Sequence, residues 1–229
     1  MIIDTHLHTA EYSPDSFLPI AEAVARAREM GIDGLCVTDH DSRGARNVID
    51  RWRRELDFPL FLGCEVLTAD GDVVCFGLDE PPAPASVSAA ELVRRLHDLG
   101  GCAVAAHPFR NNNRGMEGMI STLAGLDGVE CFNGSTDPAA NLHALELAEK
   151  AGRALLGAAD AHRRERVGLF VTEFEGTLRD ERDLIAAVKE RRCRPLAWNG
   201  SGFADAAAFC RARMEASECV RDAQASCGR

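Results

Sequence analysis

Pro19-Ile20-Ala21-Glu22-Ala23-Val24-Ala25-Arg26-Ala27-Arg28-Glu29-Met30-Gly31-Ile32-Asp33-Gly34-Leu35-Cys36-Val37-Thr38-Asp39-His40 reads as one helix followed by one strand. Pro19 to Met30 carries apolar residues at three- and four-residue spacing, the helical period. Gly31 stands where a helix wants a left-handed terminal residue, and Pro19 stands near the helix start, where a missing N–H costs little. Gly34 to Thr38 is a short apolar run, read as a strand, and it ends on Asp39-His40.

The same alternation runs through the chain. Strands are expected at Met1–Ile3, Leu60–Leu62, Val73–Phe76, Cys102–Ala105, Gly128–Phe132, Ala154–Leu156 and Val167–Val171, with helices at Ala89–Leu99, Ala139–Ala151 and Asp180–Arg191. Gly100 and Gly152 close two of these helices and Pro138 opens one. The Pro- and Ala-rich stretch Asp79–Ser88 reads as a loop, and Phe203–Cys219 as a terminal helix followed by a polar tail expected to fray. Repeated β-α units imply an α/β protein with a parallel sheet, either closed as a barrel or open and doubly wound. At 229 residues the chain is expected to form a single domain over residues 1–229.

Composition narrows the function. With 46% hydrophobic residues the chain can bury a full core, and a formal charge of −10 argues against broad electrostatic binding of nucleic acid. Carboxylates that hold metal ions escape that argument, because the ions neutralise them. The nine cysteines are scattered without a C-x-x-C pair, which speaks against a zinc finger and against a disulfide framework. No apolar run approaches the roughly 18 residues of a membrane helix, the N-terminus lacks a signal-peptide pattern, and the expected location is the cytoplasm. Lys150 and Lys189 are the only lysines, both on expected helices, so Schiff-base chemistry has no evident residue. Phosphate-binding P-loop, dinucleotide-binding and serine-hydrolase signatures are all missing.

What remains is a set of residues at strand ends, where α/β folds place their sites. Asp4, His6 and His8 share parity at the end of the first strand, as do Asp160 and His162 after Leu155-Leu156. His40, Glu65 and His107 follow three further strands, whereas His97 and His143 fall on helical stretches and read as ordinary residues. A lone H-x-H or Asp-His pair is weak, but a sheet that gathers strand ends gathers all of these residues together. Neutral imidazoles and ionised carboxylates so gathered suit Zn, Mn or Fe.

In order, His6-Leu7-His8, Asp39-His40, Glu65, His107-Pro108 and Asp160-Ala161-His162 resemble the motifs of the PHP (polymerase and histidinol phosphatase) superfamily. The resemblance implies a distorted (β/α)7 barrel with a metal site at the C-terminal ends of its strands, binding two or three divalent ions. It implies that His6, His8, Glu65 and Asp160 hold one ion, Glu65 and His107 a second, and Asp15, His40 and His162 a third. Many relatives supply a further histidine to the second ion; here the corresponding stretch offers Asn133, Cys131 or Glu130, with Asn133 the first choice as ligand or substrate contact. Paired ions activate a bridging hydroxide and hold both oxygens of an in-line displacement. Glu65, His40 and Arg110 are the residues expected to carry that chemistry. Arg110, Arg43, Arg163 and Asn133 are placed to contact the substrate. The expected activity is metal-dependent phosphoesterase action on a small phosphorylated molecule, with nucleotides and short nucleic-acid ends among the candidates, and no membrane partner. The alternatives are a metal hydrolase of an amide or lactone, and a catalytically silent metal-stabilised module serving a protein partner.

Overall fold

A computed structural model describes the backbone of residues 1–227 and the side chains of residues 1–217. Ten strands form one sheet among the described residues. They are β1 (Ile2–Leu7), β2 (Gly34–Val37), β3 (Leu60–Thr68), β4 (Gly71–Phe76), β5 (Cys102–Ala105), β6 (Gly128–Asn133), β7 (Ala154–Ala158), β8 (Phe170–Phe174), β9 (Cys193–Trp198) and β10 (Phe203–Asp205). The helices are α1 (Ile20–Met30), α2 (Ile49–Leu56), α3 (Ala89–Asp98), α4 (Pro138–Lys150), α5 (Glu181–Lys189) and α6 (Ala206–Cys227). Helix α1 stops where expected: Gly31 is left-handed, with φ 72°, and its N–H donates to the Ala27 and Arg28 carbonyls. Asp137 caps α4 by accepting from the N–H groups of Ala139 and Ala140, with Pro138 opening the first turn.

The strand order is β10-β9-β8-β1-β2-β3-β4-β5-β6-β7. Two parallel trios, β1-β2-β3 and β5-β6-β7, are joined through β4, which pairs antiparallel with both neighbours. Strands β8, β9 and β10 continue the β1 edge in antiparallel fashion. The protein is therefore α/β with a mixed, curled sheet, and its ten strands and five antiparallel pairings differ from a simple succession of seven β/α units.

Several differences from the sequence reading have local causes. Strand β3 runs past Leu62 to Thr68 because it pairs along its length with β4, so Glu65 lies within a strand and not after it. Strand β8 starts at Phe170, leaving Val167 in the preceding connection. Pro195, which donates no ladder N–H, obscured β9. The short, arginine-rich α2 lacks a long apolar period. Phe203 begins β10, and α6 runs on to Cys227; the expected fraying concerns a tail whose side chains and last two residues lie outside the described set. No helix among the described residues is long and apolar enough to cross a membrane.

One end of the curl is filled by α5, whose Leu184, Ala187 and Val188 pack with Ile3, Phe61, Phe76, Val104 and Phe174. The sheet curls far enough for β7 to meet β1 and β8, where isolated polar contacts replace a continuous ladder. His8 N–H donates to the Ala161 carbonyl at 3.0 Å and Asp160 N–H to that of His6 at 2.9 Å. Thr172 Oγ1 donates to the Gly157 carbonyl at 2.8 Å. Gly157 permits this approach, since a Cβ there would stand 2.7 Å from the Val171 carbonyl oxygen. Asp4 completes the seam: its two oxygens accept from Ala159 N–H and Gly168 N–H, each at 3.0 Å.

Asp4→Ala leaves two buried donors unpaired and is expected to cost about 2–4 kcal/mol of stability at pH 5, measured by urea unfolding. Burial pushes the Asp4 carboxyl up to about 7, against the pull of the Ala159, Gly168 and His6 N–H groups. The folded chain therefore keeps a proton that the unfolded chain releases near pH 4, and the contribution of Asp4 is lost as pH rises through 7. The stability gap between wild type and Asp4→Ala is expected to narrow from pH 5 to pH 8; a constant gap would contradict this account.

Candidate metal centre

The extended backbone of β1 puts Asp4, His6 and His8 on one face, and all three are buried. His6 Nε2 and His8 Nε2 stand 2.9 Å apart. Glu65 Oε2, from β3, lies 3.4 Å from each, and Asp160 Oδ1, just past β7, lies 3.7 and 3.3 Å from them. The other oxygen of the same carboxylate, Glu65 Oε1, is 2.9 Å from Nε2 of His107, which follows β5. Asp15 Oδ2, from the loop between β1 and α1, is 3.2 Å from His40 Nε2 and 3.3 Å from His162 Nε2. The structure thus brings His6, His8, Asp15, His40, Glu65, His107, Asp160 and His162 into one cluster with three sub-groups. Asp4 has the same parity, but its carboxyl belongs to the seam.

Charge is concentrated here with little water to screen it. Burial alone would raise the Glu65 carboxyl, but the charge of His6 and the close approach of the His107, His40 and His6 imidazoles hold it well below the usual range. Asp160 is also held low: the charge of His6 and a hydrogen bond from His8 overcome its burial. Burial would lower His6, yet the charges of Glu130, Glu65 and Asp160 hold it well above its ordinary value. His40 and His107 are raised against burial chiefly by Glu65. At His8 burial wins and pushes the imidazole down to about 4, leaving it neutral near pH 7, the form that ligates a metal.

The bonding within the cluster is incomplete without a further group. Glu65 Oε2 and His40 Nδ1 are 2.8 Å apart, yet their directions do not align, and neither has a hydrogen-bond partner among the described residues. Buried His107 Nδ1 has none either. Unpaired polar atoms at this depth are costly, and divalent cations satisfy imidazole and carboxylate lone pairs together. The donor set fits such ions.

Neighbouring residues fix the rings and chain ends. Glu130 on β6 lies 2.6 Å from His6 Nδ1 and also accepts from His107 N–H at 3.1 Å, the arrangement that orients a ligating imidazole from behind. Asp39 points away from the cluster and accepts from Thr9 N–H, Thr9 Oγ1 and Ser13 Oγ, tying down the loop that carries Asp15. His107 and Asp160 have φ values of 29° and 51°, strained for residues with a Cβ; these turns aim both side chains inward.

The substrate-contact candidates separate. Arg110 lines the cavity and donates to Asp160 Oδ2 at 2.6 Å. Arg43 instead reaches the Asp79 carbonyl, and Arg163 lies over the exposed Phe17 ring at 4.6 Å, so neither lines the cavity. Asn133 is close, but its Oδ1 accepts from Ser135 N–H at 2.8 Å while its Nδ2 donates to Glu130; the atom able to ligate faces its own turn. Sequence reasoning missed Asp72 and Arg114. Asp72 precedes the expected strand and reads as part of a turn, and Arg114 sits in a polar loop with no motif. In the structure Asp72 is fully buried on β4, its Oδ2 3.7 Å from His107 Nε2, and Arg114 grips both of its oxygens. A hairpin pairing drawn from Glu65 through Asp72 would have been the one available signal.

Comparison with known proteins agrees with this architecture. The chain is 29% identical over 143 residues to an uncharacterized protein of Methanocaldococcus jannaschii, a match covering 58% of this chain and 82% of that protein. Among solved structures, PsfC from Pseudomonas syringae superposes with a TM-score of 0.67 at 23% identity, covering 87% of this chain and 92% of that one. A two-domain Bacteroides vulgatus protein containing a predicted PHP-like metal-dependent phosphoesterase gives 0.66 at 17% identity, over 86% of this chain and 64% of that one. An amidohydrolase from Chromobacterium violaceum, with bound sulfate and no metal, gives 0.60 at 19% identity, over 82% and 96%. A PHP-associated family matches residues 138–193, which include Asp160 and His162. The PHP domain family matches residues 4–156, which carry every cluster residue from His6 to His107, and the chain belongs to that family.

Proposed function

We propose that the protein is a metal-dependent phosphoesterase that hydrolyses a phosphomonoester or a small nucleotide phosphate. The observation that carries this reading is the division of Glu65, one oxygen facing His6 and His8 and the other facing His107, the placement a carboxylate needs to join two ions. His6, His8, Glu65 and Asp160 would hold one ion, Glu65 and His107 a second, and Asp15, His40 and His162 a third. Zinc, manganese and iron all suit this mixture of nitrogen and oxygen donors. Bound ions would supply activation of a water and neutralisation of phosphate charge.

The chain's own residues shape the rest. The cavity beside the cluster has a volume of about 120 Å³ and is lined by Arg110, Asn112 and Arg114 as well as by the cluster residues. That space suits the phosphoryl group itself, with the remainder of a substrate outside. Guanidinium groups match phosphate oxygens by fork geometry, which favours a phosphate ester over an amide or lactone. The sulfate in the Chromobacterium violaceum protein of the same fold is a tetrahedral anion of the same kind.

Purified protein is expected to carry two or three equivalents of divalent metal by elemental analysis and to cleave p-nitrophenyl phosphate. Activity on p-nitrophenyl acetate alone would overturn the phosphate reading. Glu65→Ala and His40→Ala are expected to lower phosphatase turnover by more than about 100-fold while the circular dichroism spectrum is kept; wild-type rates in either variant would remove the cluster from the reaction. His6, His40 and His107 hold protons above their ordinary range in the metal-free chain, so metal uptake must displace them. Manganese affinity is therefore expected to rise from pH 6 to pH 8 with measurable proton release in calorimetry; uptake without proton release would contradict the charge assignment.

A further inference from the structure

The second sub-group, Glu65 with His107, has fewer donors than the first, and Asn133 turns its amide oxygen away from it. Antiparallel pairing of β3 with β4 sets Leu67 opposite Asp72, so Asp72 and Glu65 share one face of the hairpin. The Asp72 carboxylate is wholly buried, and its Oδ2 is the oxygen nearer His107 Nε2, at 3.7 Å.

Two arginines grip carboxylates at the cluster, in different ways. Arg110 donates to Asp160 Oδ2, whereas His6 and His8 face Asp160 Oδ1, so guanidinium and ion have separate oxygens. Arg114 takes both oxygens of Asp72, Nε on Oδ2 at 2.6 Å and a terminal nitrogen on Oδ1 at 2.9 Å. The oxygen that faces His107 is thus already occupied by a cation. The backbone at this point is held independently of the fork: Asp72 N–H donates to the Arg114 carbonyl at 2.8 Å. Gly71, with φ 128°, lets the loop lie this close, since a Cβ there would stand 2.9 Å from the Arg114 carbonyl oxygen. The Arg114 side chain is one-third exposed and lines the cavity, and turning its guanidinium toward the cavity would leave the backbone contact in place.

We propose that Asp72 is the third protein ligand of the ion at Glu65 and His107, and that Arg114 competes with that ion for it. Ion binding then releases the Arg114 guanidinium to an oxyanion in the cavity. This inference rests on the reading of the cluster as a metal centre, and it separates the effects of two arginines a few residues apart.

The test is manganese titration of the metal-free full chain by calorimetry and by thermal melting, in wild type, Asp72→Asn, Arg114→Ala and Arg110→Ala. Asp72→Asn is expected to lose one equivalent, or to weaken one site at least tenfold, with the others unchanged. Arg114→Ala leaves Asp72 buried and unpaired, so its metal-free form is expected to melt below wild type. One of its sites should bind manganese several-fold more tightly, and its melting temperature should rise more on manganese addition than that of wild type. Arg110→Ala is expected to tighten no site. Should Asp72→Asn fold poorly, the Arg114→Ala result decides alone: unchanged or weakened manganese binding there overturns the competition. Wild-type stoichiometry and affinity in folded Asp72→Asn overturns the ligand assignment while the metal centre stands. Absence of any manganese uptake by wild type overturns both the centre and this inference.

Discussion

The Glu65 carboxylate is the point on which the site depends. It is fully buried among His6, His8, His40 and His107, and each of its oxygens faces a different set of nitrogens. A carboxylate at that depth is tolerable only where positive charge surrounds it on more than one side. The imidazoles of His6, His40 and His107, each raised against its burial, are the groups that can carry that charge in the metal-free chain, and divalent cations would provide it better. The neighbouring groups follow from the same requirement: Glu130 orients His6, and Asp160 faces both histidines of β1.

The mixed topology serves this point. In a purely parallel arrangement Glu65 would stand at a strand end beside other strand ends. Instead β3 continues past it and folds back through β4, and the return strand carries Asp72 onto the same face. On the other side, the seam between β7 and β1 brings Asp160 and His162 to His6 and His8 through single backbone hydrogen bonds and the buried Asp4 carboxyl. Left-handed backbone at His107 and Asp160 is the local cost of aiming both side chains at the cluster. At the opposite end of the curl α5 packs against the sheet through Leu184, Ala187 and Val188.

The arginines show how little a residue type says without its surroundings. Arg43, Arg110 and Arg163 stand close in sequence to cluster residues, yet only Arg110 turns into the cavity. Arg163 stacks on Phe17, and Arg43 turns a terminal nitrogen to the Asp79 carbonyl. Arg114, seven residues beyond His107, reaches the buried Asp72 because Gly71 lets its loop lie against β4.

Sequence alone revealed the alternation of helix and strand, the helix stop at Gly31, the helix start at Pro138, and the identity of most of the histidines and carboxylates that gather. It could do so because periodicity, capping and side-chain parity are properties of neighbouring residues. Long-range packing makes β3 long, forms β9 in spite of Pro195, turns Asn133 to its own loop and sets Asp72 under Arg114. Each of these depends on which strand lies beside which, and on how closely two backbones approach. That information is carried by pairs of residues far apart in the chain, and no local pattern records it.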